Sequence, residues 1–122
     1  MESPFKGKTG IRRIFNAAGY SMDGLLAAFT GEAAFRQLLL MALVGIPLAF
    51  FLHLPMWGRA LIVIAHLLSL MVELLNSAIE AAVDHTSLEK HHLAKRAKDM
   101  GSAAQFVSLV NITGIWLIVL FG

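Results

Sequence analysis

The chain has 122 residues, of which 57% are apolar and 15% charged, with a net charge of +2. Soluble domains carry about a quarter charged residues, and a soluble chain this short leaves too much surface wet to hide so much apolar side chain. These numbers point to one small membrane domain spanning 1–122 and exclude a soluble core. With no Cys, disulfides, thiolate metal sites and cysteine nucleophiles are excluded. The basic residues form no long stripe interleaved with aromatics, so no nucleic-acid surface is expected.

Residues 1–10 read as a polar, Gly-rich arm. Lys6, Lys8, Arg12 and Arg13 precede a stretch, Ile14 to Tyr20, that is too interrupted for a secretory signal core. Ile11, Ile14, Phe15, Ala18, Met22, Leu25, Leu26 and Phe29 recur at helical spacing, with polar residues elsewhere. This predicts an amphipathic helix within about 5–31, basic near its start and suited to a membrane surface. Gly19, Gly24 and Gly31 argue against one unbroken helix. Leu38 to Leu52 is a continuous apolar run, and with its flanks it gives a first span over 33–54, in which Pro47 is a candidate kink. His53 to Arg59 reads as a short turn carrying an interfacial Trp57. A second long helix is expected over 58–84, a charged, His-containing loop over 85–97, and a third span over 98–121. From Ala103 onward this last segment has no charge, and Gln105, Ser108, Asn111 and Thr113 are its polar members. With the N-terminus inside, nine of the ten Lys and Arg residues (Lys6, Lys8, Arg12, Arg13, Arg36, Lys90, Lys95, Arg96 and Lys98) are cytoplasmic and Arg59 alone is outside. That distribution orients the chain with its C-terminus out. The fold class is therefore all-α: three transmembrane helices plus an N-terminal surface helix.

The chemistry concentrates in the second span. Glu73, Asn76, Ser77, Glu80 and Asp84 share one helix face. A carboxylate in hydrocarbon costs about 2.5–3.5 kcal/mol even on lenient scales, so such a face needs pairing, metal or neutralisation. The bland alternative is a polar seam between helices or subunits. Counting inward from Trp57, a ~30 Å core at ~1.5 Å per residue ends near residue 77. Glu73 then lies about a turn inside the cytoplasmic boundary, where a lipid head can reach, and Glu80 and Asp84 lie at or beyond it. Glu32 is at the same end of the first span. Glu32 and Glu80 are hard oxygen donors suited to Mg²⁺; on spacing alone, Glu32 could equally pair with Arg36 four residues on. The cations of Arg96-Ala97-Lys98-Asp99-Met100-Gly101-Ser102 could hold phosphate oxygens, although by position they are also an ordinary basic flank. Gly7-Lys8-Thr9 is not a phosphate loop, since no leading Gly or strand precedes it. His85, His91 and His92 lack zinc-site spacing and read as loop residues.

Taken together, Ala17-Ala18-Gly19-Tyr20-Ser21, Glu32-Ala33-Ala34-Phe35-Arg36-Gln37, Val72-Glu73-Leu74-Leu75-Asn76-Ser77-Ala78-Ile79-Glu80-Ala81 and Arg96-Ala97-Lys98-Asp99-Met100-Gly101-Ser102-Ala103-Ala104 resemble the bacterial diacylglycerol kinase family of small membrane-embedded lipid kinases, in that family's order and spacing. The resemblance covers nearly the whole chain from about Ile11. It implies ATP-dependent phosphorylation of diacylglycerol to phosphatidate, with Mg²⁺, by a homotrimer in the bacterial cytoplasmic membrane. Carried over, Glu73 resembles the catalytic base, and Glu32 and Glu80 the metal ligands. Arg13, Tyr20, Glu32, Glu80, Glu89, His91, Lys98 and Asp99 match nucleotide positions. Arg13, Ala18, Ala33, Ala34, Phe35, Arg36, Gln37, Glu73 and Ser102 match lipid-substrate positions, and Asn76 a further functional one. Met22 stands where the best-known relatives have Trp, Asn16 and Asp23 where they have Lys, and Leu38 where they have Glu. These departures bear on the ligand contacts and leave the reaction type intact. A polyprenol kinase of the same family is the nearest alternative. An oligomeric transporter or channel is the alternative from another class, disfavoured because the third span supplies no charge to continue a route outward.

Overall fold

A computed structural model describes residues 10–86 and 92–122. Four helices follow in order: α1 Gly10–Gly31, α2 Ala33–Phe51, α3 Met56–Thr86 and α4 His92–Phe121. The last three are long and apolar enough to cross a membrane. The chain is thus a multi-pass all-α membrane protein with one further N-terminal helix.

Helix α1 is unbroken through Gly19 and Gly24. A glycine in a helix interior costs only about 0.5–1 kcal/mol relative to Ala, and the apolar periodicity outweighs it. Ala28 is its one buried residue; Ile14, Phe15, Met22 and Leu26 remain exposed. The stripe is therefore turned away from the other helices of its own chain. A single extended residue, Glu32, separates α1 from α2. The Arg36 guanidinium caps the end of α1: its Nη1 donates to Phe29 O (2.7 Å) and Thr30 O (3.3 Å). Those carbonyls have no partner within their own helix, and a cation at a helix C-terminus is favoured. Arg59 repeats the device at the other end of the span. Its Nε donates to Ala49 O (3.1 Å) and its Nη2 to Leu52 O (2.9 Å), at the close of α2. Pro47 sits inside α2 without ending it.

Helix α3 starts at Met56, so the segment His53 to Arg59 is half turn and half helix. Pro55 explains the start, since proline is tolerated at the entry to a helix and its O accepts from Gly58 N and Arg59 N. At the other end α3 continues two residues past Asp84, and α4 begins at His92, within the stretch expected to be loop.

Helix α3 is central, packing most extensively on α4 and then on α2, with α1 touching both α2 and α3. The seams follow a spacing close to 3.5 residues: Phe35, Leu38, Ala42, Gly45 and Ala49 on α2, and Ile62, Ser69, Glu73 and Asn76 on α3. Small residues recur in these seams (Ala42, Gly45, Ala49 and Ser69) because close backbone approach supplies the dispersion that holds helices together in lipid. Gly45 faces the His66 ring, with no room for a Cβ between them. His66 in turn accepts at Nε2 from Trp116 Nε1 (3.2 Å), fastening α3 to α4 towards the Trp57 end. The remaining large apolar side chains point outwards, Phe51 and Phe121 being 86% and 80% exposed.

Candidate active site

The polar face of α3 looks onto α4. Glu73 is only 5% exposed, and its Oε1 accepts from Gln105 Nε2 (3.1 Å). One turn further on, Asn76 is buried against Gly101 of α4. A side chain at Gly101 would occupy the place of Asn76 Oδ1, so the glycine is required by close approach. Asn76 Oδ1 and Ser77 Oγ are buried without a hydrogen-bond partner. Leaving such a group unsatisfied costs about 1–3 kcal/mol, which marks this level of α3 as a place prepared for something else.

Beyond Asn76 the face opens. Glu80 is half-buried, and its charge is close enough to act on Lys98 of α4. Lys98 Nζ donates to Asp84 Oδ1 (3.0 Å), and Lys95 Nζ donates to Asp99 Oδ2 (2.7 Å). Two of the expected nucleotide residues, Lys98 and Asp99, are therefore held by exposed ion pairs. Such pairs are weak and exchange readily for a phosphate oxygen. Lys95, Arg96 and Asp99 line an open cavity of about 390 Å³ with His92, Met100 and Ala103. Its two basic side chains, Lys95 paired with Asp99 and Arg96 beside them, suit an anionic ligand.

Glu32 belongs to a different cavity, of about 610 Å³, between α1 and α3. Its walls include Ser21, Leu25, Leu74 and Ser77, so an acid and two hydroxyls line a mostly apolar space. That mixture fits the head and upper chain of a lipid. Glu32 does not pair with Arg36, whose Nη1 is committed to the α1 carbonyls. The side-chain carboxylates of Glu32 and Glu80 have no hydrogen bond or ion pair among the described residues. No group of three or more His, Asp or Glu able to hold a metal occurs among those residues. Glu32, in the α1–α3 cavity, and Glu80, near Lys98, are each hard oxygen donors of the kind that suits Mg²⁺, which is commonly held by one or two carboxylates together with substrate phosphates rather than by a full protein cage.

Of the remaining expected site residues, Arg13, Ala18, Tyr20, Ala33, Ala34, Arg36, Gln37 and Ser102 are exposed, and Phe35 is buried in the α2 seam. Glu89 and His91 lie outside the described residues. Sequence reasoning missed Gln105, Ser69, Ser108 and the role of Asp84. Gly101, Gln105 and Ser108 are spaced i, i+4, i+7, one face of α4, and that spacing was the available signal.

The model of the prokaryotic diacylglycerol kinase family matches residues 19–120. The chain belongs to that family. A diacylglycerol kinase of Pseudomonas aeruginosa is 62% identical over 120 residues, covering 98% of both chains. Those of Helicobacter pylori and Escherichia coli K12 are 49% and 45% identical. They cover 95% and 93% of this chain, and 90% and 93% of their own. The family match spans α2, α3 and α4 and most of α1, so every described part of the polar face lies within it.

Proposed function

We infer that this chain is an ATP-dependent diacylglycerol kinase, transferring the γ-phosphate of ATP to the free hydroxyl of diacylglycerol to give phosphatidate. Family membership supports the reaction class. The observation that carries the residue assignment is the buried Glu73 carboxylate, held on one oxygen, beside two buried polar atoms with no partner.

In this reading the lipid enters from the bilayer along the α1–α3 cavity, and ATP approaches from the cytoplasm over Lys98 and Asp99. Glu73 accepts the proton of the lipid hydroxyl as its oxygen bonds to the γ-phosphorus, and the bond from that phosphorus to the oxygen of departing ADP breaks. Lys98 and the Arg96 flank steady phosphate oxygens. Glu32 and Glu80 hold Mg²⁺, which when bound offsets the negative charge of the triphosphate. Asn76 places an amide beside the reacting groups. The chain lies in the bacterial inner membrane, N-terminus inside and C-terminus outside. It assembles as a homotrimer, in which neighbouring subunits cover the site residues that one chain leaves exposed.

The test is radiolabelled phosphate transfer from ATP to diacylglycerol and to undecaprenol in mixed micelles, for the parent protein and for Glu73→Gln. Phosphatidate should form in preference to the polyprenyl phosphate. The variant should lose ~10²–10⁴-fold in kcat, as removal of a general base does, while still binding ATP. Faster turnover of undecaprenol would reassign the lipid. An active Glu73→Gln protein would remove Glu73 as the base.

A further inference from the structure

The amide of Gln105 uses its full hydrogen-bonding capacity. One N–H of Nε2 is directed to Glu73 Oε1 (3.1 Å) and the other to the backbone oxygen of Ser69 (3.2 Å). Its Oε1 accepts from Ser69 Oγ (3.1 Å), and the Ser108 hydroxyl reaches the same oxygen. Two donors and two acceptor sites are all that a primary amide has. The arrangement also works one way round only. Flipping the amide would set Oε1 against a carboxylate and a carbonyl, both acceptors, and turn Nε2 towards the serine hydroxyls.

Everything around this amide is fixed. Ser69 and Ser108 are 1% and 4% exposed, both on the packed α3–α4 seam. A satisfied network in a low-dielectric seam is rigid. The Glu73 carboxylate, by contrast, takes only this one hydrogen bond among the described residues, and takes it on Oε1. The second carboxylate oxygen keeps its lone pairs.

We propose that Gln105 is a positioning residue for the phosphoryl transfer: clamped by Ser69 and Ser108, it fixes the rotation of the Glu73 carboxylate and leaves Oε2 free to take the proton of the lipid hydroxyl. The proposal rests on Glu73 being the base. A glutamate side chain has three rotatable bonds, and a misplacement of ~1 Å at a reacting group costs ~10²-fold in rate. The contribution belongs in kcat. It does not belong in the affinity for ATP, whose expected contacts lie at the other end of the polar face.

Kinetics on the full chain in mixed micelles with diacylglycerol and ATP test this. Gln105→Met keeps the length and packing of the side chain and removes the amide. It should lower kcat by roughly ten- to a hundredfold, with KM for ATP unchanged. Placed on Glu73→Gln, the same change should leave the residual rate where it was, because a residue acting only through Glu73 has nothing left to position. The pair Ser69→Ala and Ser108→Ala keeps Gln105 but frees its carbonyl, and should lower kcat in the same sense; this variant carries the test if Gln105→Met fails to assemble. An unchanged kcat in either variant, with Glu73→Gln inactive, overturns the proposal. So does a Gln105→Met effect that multiplies the Glu73→Gln loss, since that is the signature of helix packing. Full activity of Glu73→Gln itself would instead remove the reading on which the proposal rests.

Discussion

Gly101→Ala puts one methyl group where α4 meets Asn76. The added Cβ would approach Asn76 Oδ1 more closely than real contacts allow, and it would also press on Asn76 Cγ at 3.2 Å. Both are side-chain atoms, so the strain is relieved by rotating Asn76 rather than by parting the helices. Two terms set the stability change. Alanine favours a helix interior over glycine by about 0.5–1 kcal/mol, and overpacking a tight contact costs about 1–3 kcal/mol. The net loss is then about 1 kcal/mol, a small shift in a detergent melting curve. Turnover should suffer far more. Asn76 lies within a turn of both Glu73 and Glu80, and displacing a group at a reacting centre by ~1 Å costs ~10²-fold. The assay pairs initial rates with thermal unfolding in the same micelles. Adding Asn76→Ala to Gly101→Ala clears the clash, and should restore stability without restoring rate. If Gly101→Ala keeps the parent kcat, the contact is loose and Asn76 has no place in the chemistry. If rate and folded fraction fall together, the contact is packing and nothing more.

Glu32→Gln and Glu80→Gln should each lower turnover and each recover part of it at raised Mg²⁺; normal activity of either at low Mg²⁺ removes that residue as a ligand. Two inactive variants, Glu73→Gln and Lys98→Ala, mixed under conditions that exchange subunits, should regain activity if a site draws on two chains, and verified exchange without recovery places each site within one. A thiol label at residue 85 should react only from the cytoplasmic side of sealed vesicles and one placed after Gly122 only from outside; the reverse pattern inverts the proposed ATP side. Arg59→Leu removes two hydrogen bonds to the last carbonyls of α2, and should cost about 1–3 kcal/mol, read as a lower melting temperature with kcat at low temperature retained.

The three spans were legible because a run such as Leu38 to Leu52 has no other physical use at this length. Glu73 was legible for the opposite reason: a carboxylate in such a run is costly enough to need a purpose. Helix ends were harder. The start of α3 turns on Pro55, whose fixed φ suits a helix entry as well as a turn, and periodicity does not separate those uses. Arg36 shows a further limit. Its spacing to Glu32 suited an ion pair, but Glu32 is extended while Arg36 is helical, so an i, i+4 rule that assumes both lie on one helix fails across the junction. Gln105 was seen only as a polar member of the last span. Its partners on α3, Ser69 and Glu73, are more than thirty residues away in sequence, and only the α3–α4 register brings them together.

That register also bears on whether the polar face of α3 is a seam or a site. Along the face, the partners supplied by α4 change in order. His66 meets an indole N–H, and Ser69 meets a fully bonded amide. Glu73 shares that amide on one oxygen only. Asn76 meets a glycine, which has no side chain to offer, and its Oδ1 is left orphaned along with Ser77 Oγ. A face whose sole task was to join two helices would be satisfied along its whole length, because an unpaired polar atom in a membrane interior weakens the joint it is meant to make. Here the satisfaction is complete in the half nearer Trp57 and fails at the level where a lipid headgroup would meet a phosphate. The cost is confined to that level, next to a carboxylate with a free oxygen. Polar atoms kept unpaired beside an ionisable group are what a protein retains when the missing partner is a ligand, and the phosphoryl-transfer reading supplies one for each.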